Sequence, residues 1–260
     1  MGAHTWAEAF FRWIHVVAGV LWIGHLYFFN WVNGPLQKVL DGETKKKVNP
    51  ELLPRALYFF RWGAAFTWVT GILLIMMVYY MYPSAMMVTE GGNAGVAIAA
   101  GAAVVLVLPF AYDAIWKTGL AKNEEMLVVI TYVIVVGIMA GLTYGLGMPG
   151  RAIYIHIGSM FGTSMAFNVW FRIWPNQRKI IAAVKEGTPP DAALVALAGL
   201  RSKHNTYMSV PLIFAMISNH YPNMYGGQLA WVWMTVVIGL AWAITKHLYT
   251  ISGKPAASAF

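Results

Sequence analysis

The chain has no cysteine. That excludes a disulfide framework, cysteine-ligated iron–sulfur clusters and covalent haem attachment through a C-x-x-C-H motif. Charge is also scarce: Asp, Glu, Lys and Arg together make up 11% of the 260 residues, where an average soluble domain carries about a quarter. Acidic residues are the rarest, ten against eighteen Lys and Arg, which leaves a net charge of +8. No internal repeat and no charged low-complexity tail is present. In their place stand 59% hydrophobic residues and a mean hydropathy of +0.59, the composition of a membrane chain.

Apolar runs of about 20 residues match the ~30 Å of hydrocarbon that a membrane helix must cross. They predict an all-α integral membrane protein, a single transmembrane domain over 1–260 with spans near 8–32, 56–80, 94–116, 126–146, 151–174, 205–220 and 228–250. A cytoplasmic loop fills 175–204. The first run is longer than a signal peptide's apolar region and no small-residue cleavage site follows it, so it is expected to stay as a span. Of the eighteen Lys and Arg, only Arg12 and Arg151 fall on one side of this arrangement. The segments YMYPSAMMVTEGGN and YPNMYGGQ on that side hold neither residue. By the positive-inside rule the N-terminus faces outside and the C-terminus the cytoplasm, which requires an odd number of spans; seven fits. The basic face reads as a cytoplasmic surface beside anionic lipid, not as a nucleic-acid site. Within the long loop, DAALVALAGLRSKH after Thr188-Pro189-Pro190 has Asp191 as N-cap and reads as a helix along the membrane surface or against a partner.

The stretch FRWIHVVAGVLWIGHLYFFNW raises a sharper question, because it places His15 and His25 inside a span. Polar groups in lipid are costly and mark function. Depth counted from the predicted span ends sorts six of the seven histidines into two levels. His15, His156 and His220 share an outer layer; His25, His204 and His247 share an inner one. His15 and His25 lie about 15 Å apart along one helix and roughly 80° apart around it. One helix therefore has the reach to serve two stacked cofactors. Haem b, held by two imidazoles without cysteine, is the natural candidate, and two bis-histidine haems are expected. Gly19, Gly158 and Gly162 leave room for a flat macrocycle. Arg12 and Arg151 at the outer edge, with Arg61, Arg172 and Lys246 at the inner edge, are placed to pair propionates.

Plainer readings stand beside these. A histidine near a span end is more often interfacial than a ligand, and Gly158-Ser-Met-Phe-Gly162 is also a small-xxx-small packing motif. Most of the Trp and Tyr read as interface belts. Met86-Met87 has the softness to bind Cu(I), though packing is favoured. Asp113 is either a proton-handling acid or, preferably, the ion-pair partner of a nearby Arg.

Five segments are similar to a known family: RWIHVVAGVLWIG, FRWGAAFTWVTGILL, AYDAIWK, HIGSMFGTSMAFNVWFRIWPNQRK and RSKHNTYMSVPLIFAMISNHYP. In this order they resemble the membrane domain of bacterial cytochrome-c-linked urate hydroxylases, in which a multi-span domain is fused to a C-terminal cytochrome c. The resemblance runs over nearly the whole chain. It implies an integral-membrane oxidoreductase of the bacterial inner membrane that acts with cytochrome c. It places His15, His156, His204, His220 and His247 on the family's motif positions. His25 is additional, Gly63 stands where an acidic residue is expected, and the reading expects no fused cytochrome c domain after the last span. A separate c-type cytochrome or other periplasmic redox subunit is then the expected partner, within a multi-subunit complex and with a quinone or other inner donor. The reading is a b-type haem electron-transfer subunit. The alternative is a urate hydroxylase domain that binds its substrate among Asn205, Asn219 and neighbouring polar groups. A cofactor-free transporter broken at Pro211 is a third reading.

Overall fold

A backbone segment in lipid must satisfy its own N–H and C=O groups, and the helix is the only single-segment solution. The computed structural model describes residues 2–255. Within them every regular element is helical and no strand occurs. We label the long helices α1 (Ala3–Val39), α2 (Gly42–Tyr80), α3 (Ala94–Ile115), α4 (Glu124–Gly145), α5 (150–186), α6 (Ala192–Ile217) and α7 (Ala230–Ser252). Five of them, α1 to α4 and α7, are long and apolar enough to cross a membrane. α5 and α6 cover the other two predicted spans but are richer in polar residues, with His156, Ser164 and Asn168 on one and Arg201, Asn205, Thr206 and Ser209 on the other.

Helix starts are legible in single side chains. Asn93 accepts from the Val96 amide at 3.1 Å to open α3, and Asn123 does the same for Met126 at 3.0 Å to open α4. Asp41, outside the spans, accepts from the Thr44 amide at 2.9 Å and from its hydroxyl at 2.7 Å, which holds its carboxyl below its ordinary range.

The helices run further than the apolar runs alone indicated. The segment 33–55 was expected as loop, yet α1 and α2 continue through most of it. Their ends are tied by side-chain amides: Gln37 and Asn49 exchange two hydrogen bonds at 2.9 Å, and Gln37 also donates to Asn33 at 3.1 Å. Likewise 175–204 is mostly helix. α5 continues to Glu186 and stops at Gly187, whose φ of 76° suits glycine. Asp191 then caps α6 through the Ala193 amide at 2.7 Å. The surface helix expected over DAALVALAGLRSKH and the span expected from 205 form one continuous α6 that carries Pro211 inside it. Asp113 pairs at 2.6 Å with Lys117, two residues past the end of α3, where an arginine was expected.

Four π-helical segments interrupt the α geometry: Phe28–Asn33, Met76–Tyr80, Gly141–Gly145 and Val169–Ile173. Each is followed within four residues by a proline: Pro35, Pro83, Pro149 and Pro175. Pro35 and Pro175 lie in helix that continues from the π segment; there proline has no N–H to donate, and its ring crowds the carbonyl four residues back. Widening the turn before it is one way to absorb that strain.

The chain groups into two compact units. The first holds the N-terminal residues to Ala9, Gly71–Ser164 and Pro211–Leu240; its core gathers Tyr79, Met87, Ile153, Tyr154, Ile157 and Met160. The second holds Phe10–Thr70, Met165–Val210 and the chain from Ala241; its core gathers Trp22, Leu26, Phe60, Ala64, Met165 and Ala198.

Candidate functional site

In the first unit the polar centre is His156 on α5, which is fully buried. Its Nδ1 donates to the Ala152 carbonyl at 2.7 Å. A carbonyl only accepts, so this contact fixes the tautomer and leaves the lone pair on Nε2. The Tyr80 hydroxyl lies 3.1 Å from Nε2 and is therefore the donor of that bond. Tyr80 stacks on the imidazole at 5.7 Å and Tyr79 meets it edge-on at 5.9 Å. Neighbouring residues of an α-helix project about 100° apart; both tyrosines lie in the π segment Met76–Tyr80, whose wider turn brings two consecutive rings to one partner. On the far side α3 contributes bare backbone. A Cβ on Gly101 would sit 2.6 Å from Nε2 and 2.7 Å from Cδ2.

A second group of polar contacts lies one turn away. Tyr79 donates to Asn219 Oδ1 at 3.2 Å, and Arg151 Nε donates to the same oxygen at 2.9 Å. The guanidinium lies 5.8 Å from the Tyr79 ring centroid and reaches the Met86 sulfur at 3.6 Å. Arg151 also lines a cavity of about 660 Å³ bounded by Thr89, Thr143, Tyr144, Gly147, Tyr225 and Gln228, among others. His220, at the end of α6, is exposed. Gly158 and Gly162 are filled by α6: added Cβ atoms would meet Ala215 Cβ at 2.7 Å and Leu212 Cδ1 at 3.3 Å. Close helix packing, not macrocycle room, explains them. Met87 is buried in the core.

In the second unit His15 Nδ1 faces the Thr70 hydroxyl at 3.1 Å. That hydroxyl gives its hydrogen to the Phe66 carbonyl at 2.6 Å, so it accepts from Nδ1. His25 Nδ1 donates to the Leu21 carbonyl at 2.7 Å, and its ring stacks on Phe59 at 5.8 Å. Both thus carry their lone pair on Nε2, the arrangement in which a histidine ligates metal through one nitrogen while the other N–H is held. His204 is half-buried and engaged with protein groups; His247 is exposed. Arg61 stacks 4.0 Å over Trp174, Arg172 lies 5.4 Å over Phe167, and Arg12 and Lys246 are exposed. Gly19 has only Thr67 within ordinary contact, at 3.9 Å.

The same unit holds a half-buried hydrogen-bond network. Tyr27 meets Ser209 at 3.0 Å, Asn30 donates to Ser202 at 2.8 Å, and Tyr249 donates to Asn30 at 2.9 Å. Asn168 donates to Asn205 at 2.8 Å.

Iron in a haem takes an imidazole lone pair. The geometry of His15 and His25 fits that demand. At His156 the corresponding Nε2 is already used by Tyr80 and walled by Gly101. Among the described residues no three His, Asp or Glu side chains gather to hold a bare metal ion; haem asks only for one or two imidazoles. Tyr79, Tyr80, Gly101 and the Arg151–Asn219 contact were not singled out together from the sequence. The signals present were the paired tyrosines in MMVYYMY and a lone glycine within AIAAGAAVV.

A model of the urate oxidase N-terminal family matches residues 2–259. No curated protein and no solved structure matches the chain.

Proposed function

Because the chain belongs to the urate oxidase N-terminal family, we propose that it is the membrane-embedded subunit of an oxidoreductase. In this reading it binds haem b and passes electrons between an inner donor, such as a quinone, and a c-type cytochrome on the outer side. One observation carries it: α1 presents two histidines, His15 and His25, whose Nδ1–H groups are each committed to a protein acceptor and whose Nε2 lone pairs remain. Imidazole fixed in this tautomer is prepared to ligate iron without turning over.

Bound haem b supplies a one-electron couple within the membrane. His25 would provide one ligand, and His204 or His247 of the same unit the other. Phe59 keeps the His25 ring from rotating, and Thr70 does the same for His15. Arg61 and Arg172, near aromatic rings at the expected cytoplasmic level, supply positive charge for propionates. The positive-inside distribution, with α5 and α6 counted as spans, orients the protein in the bacterial inner membrane with its N-terminus outside.

The test is a reduced-minus-oxidised spectrum of the purified chain with extracted haem counted. A b-type spectrum is expected, with His25→Ala removing one component and His15→Ala another. A chain that binds no haem ends this reading. Urate consumption by membranes that hold the chain and a c-type cytochrome, with no haem bound, would move the assignment to the hydroxylase alternative.

A further inference from the structure

We infer that the cavity beside Arg151 is a binding site for a small organic anion. Its lining carries one formally charged side chain, and that side chain is a cation. Among the described residues no carboxylate pairs with Arg151. A guanidinium in a partly enclosed, largely apolar wall ordinarily has a counter-charge, and here the site is built to receive one from outside the chain.

The guanidinium is held ready by three elements. Asn219, at the end of α6, takes Nε at 2.9 Å; Tyr79, at the end of α2, lies 5.8 Å from it; Met86, in the following turn, takes Nη1 at 3.6 Å. These are positioning residues, and they leave Nη2 without a protein acceptor. Two neutral donors share the wall. The Tyr144 hydroxyl accepts from Trp231 Nε1 at 3.2 Å, so its own hydrogen is available. Gln228 is exposed there with its amide. Met86, Met148, Pro149 and Tyr225 supply apolar surface. A cavity of about 660 Å³ with apolar walls and few convergent polar groups has the size of small-molecule sites, roughly 300–1,000 Å³. It is too roomy for inorganic phosphate alone. Glycine makes the wall possible: a side chain at Gly150 would collide with Tyr225 and Ala230, and Gly147 turns at a φ of 61°.

The site rests on the oxidoreductase reading and goes beyond it, giving an organic reductant a place to bind at the expected outer edge in addition to the inner donor. It is tested by binding alone, so it stands or falls apart from haem content. Urate, a planar monoanion at neutral pH, is the probe for calorimetric titration of the full chain in neutral detergent. Inorganic phosphate and phosphatidylglycerol nanodiscs are the comparison arms. Saturable urate binding is expected, with phosphate far weaker. Arg151→Gln should weaken it about tenfold or more, as loss of a charge-assisted pair does. Gln228→Glu places a carboxylate on an exposed wall position that holds nothing together, and should also weaken it severalfold while the melting temperature stays unchanged. Equal urate affinity in all three proteins overturns the proposal. So does Arg151-dependent capture of phosphatidylglycerol without urate binding, which would make the cavity a lipid seat.

Discussion

Gly101 decides more than its missing side chain suggests. An added methyl group would land 2.6 Å from His156 Nε2, so Gly101→Ala must push the imidazole away from Tyr80. Overpacking of this kind costs about 1–3 kcal/mol. The expected result is a clear fall in melting temperature that Tyr80→Phe partly offsets, because phenylalanine has no hydroxyl for the displaced imidazole to strand. Gly63 is a parallel case. Its Cβ would meet the Trp22 amide nitrogen at 3.0 Å and the Ala18 carbonyl at 3.1 Å, so the acidic residue anticipated from the family pattern has no room unless α1 and α2 part. At this scale the sequence showed which residues were out of place in lipid but not what they meet. A histidine six residues past the start of α5 is visible as an anomaly. That its partner is a tyrosine more than seventy positions earlier, and its neighbour a bare backbone, depends on packing that no local pattern encodes.

Elements were more legible than their ends. Hydrophobic length located each long helix, since an apolar run of that size has few alternatives. It missed the helical continuations through 33–55 and 175–186, because polar and charged residues are good helix formers once capped; the helix after Asp191 was legible from its cap, but not its continuity with the span that follows. It also missed the π segments, although the proline after each one is written plainly. The Asp41 cap makes one of these ends testable. Thr44 holds the Asp41 carboxyl below its usual range in the folded protein. The cap's contribution is therefore complete above the unfolded carboxyl's pKa, about 3.9, and is lost as pH falls through the lower folded value. Amide hydrogen exchange at Glu43 and Thr44, corrected for intrinsic rates, should quicken below about pH 4. Asp41→Asn should flatten that pH response. An unchanged profile in the variant would mean that the carboxyl is not what holds the start of α2.

For the whole molecule, composition alone was enough to place the chain among membrane proteins, and the family match over residues 2–259 agrees with the resemblance drawn from five segments. The absence of cysteine makes its orientation directly measurable, because a single introduced thiol has no background. Glu90→Cys should react with an impermeant maleimide on intact spheroplasts, and Thr188→Cys only after the membrane is opened. Labelling of both from one side would break the seven-span arrangement, and the exchanged pattern would reverse it. The division into two units was not visible beforehand, because it follows contacts between helix portions distant in sequence, not any linker or shift in composition. The wide turn at Met76–Tyr80 carries a consequence for how such a chain can evolve. A wide turn holds one residue more than the regular spiral, so it resembles an insertion that a helix has absorbed. Deleting one residue there would restore the spiral and swing everything beyond it by about 100°. Two adjacent rings would then face different neighbours, and a loss of one codon would scatter a cluster that no single substitution rebuilds.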